Sequence, residues 1–159
     1  MAIRTRVGQG FDIHRFVDGP SDRVLVLGGV KFPNEKPLAG HSDADVIAHA
    51  AADALLGAAS LGDIGMHFPD TDPQWAGANS LTLLAHVATI VREAGFEIGN
   101  VDCSIVCEKP RIAPHREEMQ KLLSDATGAT ITIKGRRAEG LGALGREEGI
   151  ACWAVAVIE

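Results

Sequence analysis

A mixed α/β sheet covered by helices, built as one domain over residues 1–159, is the fold class the sequence predicts. Three observations carry it. Segments with period-two alternation take turns with segments of helical apolar spacing, the pattern of a sheet with helices on it. No repeat, low-complexity tract or Pro/Gly/Ser-rich linker interrupts the 159 residues, and a chain of that length can bury a core without staples. The last segment, IACWAVAVI (150–158), is apolar on both faces, which suits a strand that is central or covered by another subunit.

Each element has its own signal. IRTRVGQGFDIHRF (3–16) reads as a long first strand, and RVLVLGGVKF (23–32) as a hairpin turning at Gly28-Gly29. GHSDADVIAHAAADALLGAAS (40–60) is the clearest helix. Ser42 is its N-cap candidate, Asp45 completes a capping-box pattern, and it ends before Gly62. GDIGMHFPDTDP (62–73) follows as a loop with little helix or strand character. SLTLLAHVATIVREAG (80–95) is a second helix, capped by Asn79 or Ser80 and stopped by Gly95. VDCSIVCE (101–108) alternates as a strand, and PHREEMQKLLSDATG (114–128) is a third helix with Pro114 in its first turn and Gly128 past its end. TITIK (130–134) and the final segment are strands flanking a Gly-rich loop.

Composition narrows the function. Hydrophobics at 46% and charged residues at 23% fit a soluble globular protein. A formal net charge of -6 excludes broad attraction to nucleic acid or to an anionic membrane. A polyphosphate ligand would therefore need local positive charge from a few Lys and Arg or from metal ions. Three cysteines without C-x-x-C spacing point to a reducing compartment, with Cys103 and Cys107 as small core residues of one strand face. MAIRTRVGQG has no apolar core of a signal peptide, and no run approaches membrane-spanning length, so the expected location is cytoplasmic.

Several residues stand out chemically. Asp12 and His14 share one face of the first strand, as half of a metal site or as a solvated strand edge. Asp45, His49 and Asp53 form an i, i+4, i+8 stripe on an otherwise apolar helix. His49 is either a satisfied core histidine or a ligand. Joined to Asp12 and His14 it makes His/His/Asp with one position open, the composition of a catalytic zinc site. Asp45 or Asp53 would then orient His49 through its other ring nitrogen. His41 and Ser42 sit where a helix N-terminus favours an anion, or where Ser42 is an ordinary cap. Asp63, Asp70 and Asp72 are solvated turn formers or acceptors for a hydroxylated substrate. Lys134, Arg136, Arg137 and Arg146 surround Glu139 and Glu148 in a Gly-rich loop that suits phosphate but lacks P-loop order.

GFDIH, AGHSDADVIAH, LGDIGMHFPDTDP, GNVD and REEGIA occur in order across nearly the whole chain. Together they resemble 2-C-methyl-D-erythritol 2,4-cyclodiphosphate synthase of the non-mevalonate isoprenoid pathway. The resemblance implies a homotrimer with active sites between neighbouring subunits. It implies a cytidine diphosphate substrate, 4-diphosphocytidyl-2-C-methyl-D-erythritol 2-phosphate, cyclised with release of CMP. The family's zinc ligands fall on Asp12, His14 and His49, and its second divalent ion, magnesium or manganese, on Glu139. Its substrate contacts fall on His41 and Ser42, on Asp63, Ile64 and Gly65, and on Phe68, Pro69, Asp70, Thr71 and Asp72. The cytidine end falls on Cys107, Glu108, Lys109, Pro110, Arg111, Ile112 and Ala113, with Lys134, Arg136, Arg137 and Arg146 nearby.

One departure is chemical. The family's Lys-x-x-Thr-x-Glu reads Lys134-Gly135-Arg136-Arg137-Ala138-Glu139 here, so Arg137 replaces the Thr that meets the nucleotide phosphates, and Ala143 replaces an aromatic residue. The implied catalytic pair is His41 and Arg137, stabilising charge on the phosphoryl group, with Asp63 and Asp70 accepting from substrate hydroxyls. Two other readings use the same triad: a zinc-dependent phosphohydrolase that activates water, and a trimeric binding module in which the metal is structural.

Overall fold

The computed structural model describes residues 4–159. Strand β1 spans Arg6–Arg15, so it starts later than its alternation does, and Ile3 lies outside the described residues. The short hairpin β2 (Leu25–Leu27) and β3 (Val30–Phe32) turns at Gly28-Gly29, both with positive φ. Helix α1 spans Val46–Ala59. The 62–73 segment is more structured than its composition suggests. It holds helix α2 (Ile64–His67), capped by Asp63, and the start of a 3-10 turn, Pro73–Trp75, capped by Asp72. Helix α3 (Ser80–Glu93) is capped by Asn79, strand β4 is Ile98–Val106, and a 3-10 turn containing Pro114 leads into α4 (Arg116–Thr127). Strand β5 (Thr130–Arg136), the one-turn helix α5 (Gly142–Gly145) inside the Gly-rich loop, and strand β6 (Gly149–Ile158) complete the chain.

The cap of α1 is a correction. Ser42 does not cap it; Asp45 does, accepting from the N–H groups of Ile47 at 3.1 Å and Ala48 at 3.2 Å. The same carboxylate accepts from Gly28 N at 2.9 Å and Gly29 N at 2.8 Å, tying the hairpin turn to the helix start. An Asp that closes two elements at once outcompetes a nearby Ser that can close one. Burial, with Asp43 close by, pushes its pKa up to about 6 against those N–H donors. The N–H groups expected to attract an anion at His41 and Ser42 are thus partly taken by the protein itself.

Four strands pair in the order β1-β6-β4-β5. The β1/β6 and β6/β4 pairs are antiparallel, while β4 and β5 run parallel across α4, so the sheet is mixed. The apolar last strand is central, as its two-sided pattern predicts. Helix α1 packs on β1 and β6, α4 on β5, and α3 between the two helices. Among the described residues, helices cover one face of the sheet. The other exposes Val7, Phe11 (45%), Ile13 (51%), Trp153 (38%) and Val155, an apolar patch larger than scattered surface residues account for.

The α1–β1 contact is backbone on backbone. A Cβ at Gly8 would lie 2.0 Å from Ala54 O, and one at Gly10 would lie 1.9 Å from Ala50 O. Glycine is required there by approach rather than by φ. Gly10→Ala should therefore cost about 3 kcal/mol or more, near the upper end for overpacking, and lower Tm by roughly 6–12 °C. Thermal unfolding checks this, and a wild-type Tm would show that the helix can retreat freely.

Candidate active site

Strand β1 presents Gly8, Gly10, Asp12 and His14 on its helix-facing side, so the two glycines that admit α1 are followed by two side chains that reach toward it. Helix α1 contributes His49, one turn after its cap. Asp12 Oδ2 lies 3.1 Å from His14 Nε2 and 3.1 Å from His49 Nδ1. Single ligand atoms of the three residues all lie within 4.8 Å of one another. The solvated-edge and core-histidine readings give way to one cluster.

The far side of each imidazole fixes its tautomer. His14 Nδ1 lies 2.7 Å from Ala39 O, a pure acceptor, so Nδ1 carries the proton and Nε2 offers its lone pair to the cluster. His49 Nε2 lies 2.8 Å from Ser80 Oγ and 3.2 Å from Ser42 Oγ. Ser80 Oγ donates to Asp43 Oδ1, so it accepts from His49 Nε2–H and leaves Nδ1 for the cluster. Neither Asp45 nor Asp53 orients His49, contrary to the stripe reading. Asp45 caps α1, and Asp53 accepts from Ile64 N at 2.7 Å, anchoring α2 beside the cluster. Three convergent atoms with two ring tautomers set from behind fit a divalent ion with an open position.

A cavity of about 440 Å³ opens on this cluster. Of the residues expected there, Asp12, His14, His41, Ser42, His49, Ile64, Gly65, Phe68, Pro69 and Asp70 line it. His41 is braced by a 2.9 Å contact from Nε2 to Asp72 O. Asp63, Thr71 and Asp72 are not on the cavity wall; Asp63 accepts from Met66 N and Asp72 from Gln74 N as caps. Trp75 and Leu83 add an apolar wall that spacing did not signal.

A second pocket of about 160 Å³ follows β4 and β5. Cys107, Glu108, Pro110, Arg111, Ile112, Ala113, Arg136 and Arg137 line it, with Arg116 as an unexpected member. Glu108 Oε1 accepts from Ala138 N at 2.8 Å and so joins its two loops. Burial and the carboxylates of Glu108 and Glu35 push the Cys107 thiol up to about 12, which keeps it a neutral thiol. Lys109, Lys134, Glu139 and Arg146 do not line either pocket. Lys109 pairs with Glu147 at 3.5 Å, Lys134 with Asp102, and Arg146 with Glu148 at 2.6 Å, while Glu139 is exposed in a left-handed turn. The first cavity draws on the edge strand β1 and on α1, the second pocket on the segment after β4 and on the end of the other edge strand, β5, and the two share no lining residue.

The YgbB family profile matches residues 5–159. The chain belongs to the YgbB family. Its curated relatives include enzymes named 2-C-methyl-D-erythritol 2,4-cyclodiphosphate synthase from Bacillus cereus, 52% identical over 97% of this chain and 98% of that one. Another, from Geobacillus thermodenitrificans, is 50% identical over 97% of this chain and 96% of its own. Among solved structures, the bifunctional IspDF of Campylobacter jejuni superposes with a TM-score of 0.91 at 38% identity. It covers 99% of this chain, which spans only 42% of that larger protein. The Plasmodium falciparum IspF CDP complex superposes with a TM-score of 0.83 at 33% identity, covering 97% and 95% of the two chains. The YgbB chain is thus an enzyme of this family with the mixed α/β fold expected from its sequence. Among its described residues, no helix is long and apolar enough to cross a membrane.

Electrostatics give the cluster a pH signature. Burial raises the Asp12 pKa, but in the metal-free protein hydrogen bonds and charge from His14 and His49, whose cluster-side nitrogens can then carry protons, outweigh it and hold the carboxyl at about 2. Burial lowers the His14 pKa, but Asp12 outweighs that and raises it. Without metal, the depressed Asp12 stabilises the fold above its unfolded pKa of about 4 and is lost as pH falls toward 2. The raised His14 contributes below about 6.5, and this is lost as pH rises through its folded value. A bound divalent ion has the opposite preference, because it must displace the proton. The Tm difference between metal-loaded and metal-free protein should therefore widen from about pH 6 to about pH 8. Scanning calorimetry with and without a chelator reads it, and a pH-independent gap contradicts the assignment.

Proposed function

We propose that this chain converts 4-diphosphocytidyl-2-C-methyl-D-erythritol 2-phosphate to 2-C-methyl-D-erythritol 2,4-cyclodiphosphate and CMP. The observation that carries the reading is the pair of pockets: a cavity with a His/His/Asp cluster and the loop carboxylate of Asp70, and a second pocket lined by Arg111, Arg116, Arg136 and Arg137. Family membership and the CDP complex of the Plasmodium relative support the same substrate class. Three free, buried thiols fit the reducing cytoplasm.

The reaction asks little of a general base. A phosphate monoester oxygen is already anionic near neutral pH, and it attacks the β-phosphorus as the P–O bond to CMP breaks. Bending one molecule so that its two ends meet makes the step intramolecular, which removes several kcal/mol of barrier. Asp12, His14 and His49 would hold zinc, and exposed Glu139 would hold a magnesium or manganese ion; together these would supply Lewis-acid charge neutralisation on the diphosphate. Asp70, on the cavity wall, accepts hydrogen bonds from the erythritol hydroxyls, and the Asp63 segment closes the same wall through Ile64 and Gly65. His41, held by its Nε2–H on Asp72 O, lines the same cavity and donates to the phosphoryl oxygens through Nδ1 when its ring carries both protons. Arg137 offers an exposed guanidinium where the family pattern has Thr, exchanging a neutral donor for a charged fork suited to phosphate.

The resemblance implies the homotrimer, and two features of the chain suit it. Its metal cluster and nucleotide pocket lie on opposite sheet edges, and its helix-free face is apolar. A second copy bringing its β5 edge to the first copy's β1 edge completes a site, and such head-to-tail contacts close into a ring. With the subunit number that the resemblance implies, we read the working form as a homotrimer, with the apolar sheet faces turned inward and each active site shared by neighbours.

Three experiments test this. Purified protein should release CMP stoichiometrically with the cyclic diphosphate; a linear product plus inorganic phosphate would make it a phosphohydrolase instead. His49→Ala should lose most bound zinc and activity, and Arg137→Ala should lose roughly 1.5–3 kcal/mol of transition-state binding, one to two decades in kcat/KM. Co-assembled one to one, the two variants should regain activity, because about one shared site in four receives both intact halves under random mixing. No recovery in mixed oligomers would place each site within one chain.

A further inference from the structure

The geometry points to Asp43 as a positioning residue for the metal centre, acting on His49 through Ser80. The inference rests on the metal reading of Asp12, His14 and His49. Asp43 lies in the GHSDAD segment, two residues before the cap of α1, and spacing assigned it no role.

The hydrogen bonds run in one direction. The Asp43 carboxylate can only accept. Its Oδ1 takes the Ser80 hydroxyl proton and the Asp45 N–H at 3.2 Å, and its Oδ2 takes the Ser80 N–H at 3.0 Å. With its proton committed to Asp43, the Ser80 hydroxyl offers a lone pair to His49 Nε2–H at 2.8 Å. Ser80 is 1% exposed and His49 8%, so little water competes for this chain of contacts. The carboxylate polarises the hydroxyl, and the hydroxyl holds the ring proton on Nε2. Nδ1 is thereby kept deprotonated and aimed at the cluster. Ser42 Oγ, at 3.2 Å from Nε2, also accepts from Ala44 N–H and is the longer, weaker contact.

This is the carboxylate–histidine–metal arrangement with one hydroxyl inserted. A carboxylate directly on Nε2 would have to be buried beside the cluster, where Asp12 already supplies a negative charge. Moving it one hydroxyl outward keeps the tautomer control and lets Asp43 sit half-buried. The insertion also links two elements, because Ser80 is the first residue of α3 and His49 belongs to α1. The orientation of the ring therefore depends on how α3 docks against α1.

The test compares zinc affinity, by competition with a chromophoric chelator, in wild type, Asp43→Asn, Ser80→Ala and the double variant. Ser80→Ala should weaken binding roughly ten- to hundredfold, and Asp43→Asn about tenfold, since Asn keeps the shape but loses the charge. Because Asp43 acts through Ser80, the double variant should be no weaker than Ser80→Ala alone. In zinc-loaded protein, the His49 Nε2–H resonance should be protected from exchange in wild type and exchange faster in both single variants. If Asp43 served only to tie its own loop to α3, Asp43→Asn would lower Tm while zinc affinity and the ring proton stayed as in wild type. That result overturns the inference and leaves the metal site intact. Failure of wild type to bind zinc, or full binding by His49→Ala, overturns the metal assignment and the inference with it. Retained zinc dependence without CMP release would instead overturn only the reaction.

Discussion

The molecule is organised around the close approach of strand β1 to helix α1. At Gly8 and Gly10 the strand backbone comes so near the helix backbone that no side chain fits between them. The helix answers with Ala48, Ala50, Ala51, Ala52, Ala54 and Ala58, all buried. Alanine has high helix propensity and gives up little side-chain entropy, so α1 is stable although each of these residues buries little area. Two residues further along the same strand face, the gap must be filled by something longer. Asp12 and His14 fill it, and His49 meets them from the helix. The site is a direct consequence of the spacing between two backbones.

Around that contact, connections from distant segments hold the ligands in place. Asp45 ties the 28–29 turn to the helix start. Arg23 holds Leu38 O at 2.9 Å and Ser42 O at 2.7 Å, bracing the stretch that carries Ala39 and His41. Asp53 anchors α2 beside the cavity. No buried side-chain polar atom is left without a partner among the described residues. Satisfied networks of this kind limit the rotamers open to the ligands, and for a metal centre that restriction is paid once, on folding.

The sheet treats its two faces differently. Helices cover one; the other is bare and apolar, with Phe11 and Trp153 in contact at 5.0 Å between ring centroids. The edges differ as well, since β1 carries carboxylate and imidazole chemistry while the loops beyond β5 carry guanidinium groups. A single chain thus presents complementary halves facing apart. Four guanidinium groups, of Arg111, Arg116, Arg136 and Arg137, gather in the second pocket although the chain as a whole carries a formal charge of -6.

Much of this was legible in the residues. Period-two alternation placed Asp12 and His14 together on one face, helical spacing set His49 on α1, and the two-sided apolar pattern of 150–158 marked a central strand. These are local properties, set by backbone geometry over a few residues, so a linear sequence carries them. The cap of α1, the partner of His49 and the wall formed by Trp75 and Leu83 were not legible. Asp45 prevailed over Ser42 because a hairpin turn some 17 residues upstream needed the same carboxylate. Ser80 reached His49 across 31 residues of chain, and read locally it was only a helix start. The sequence by itself determined which side chains were available and which face each would occupy. The tertiary structure alone decided which of them met, because hydrogen-bond partners and cavity walls are set by the docking of elements far apart along the chain.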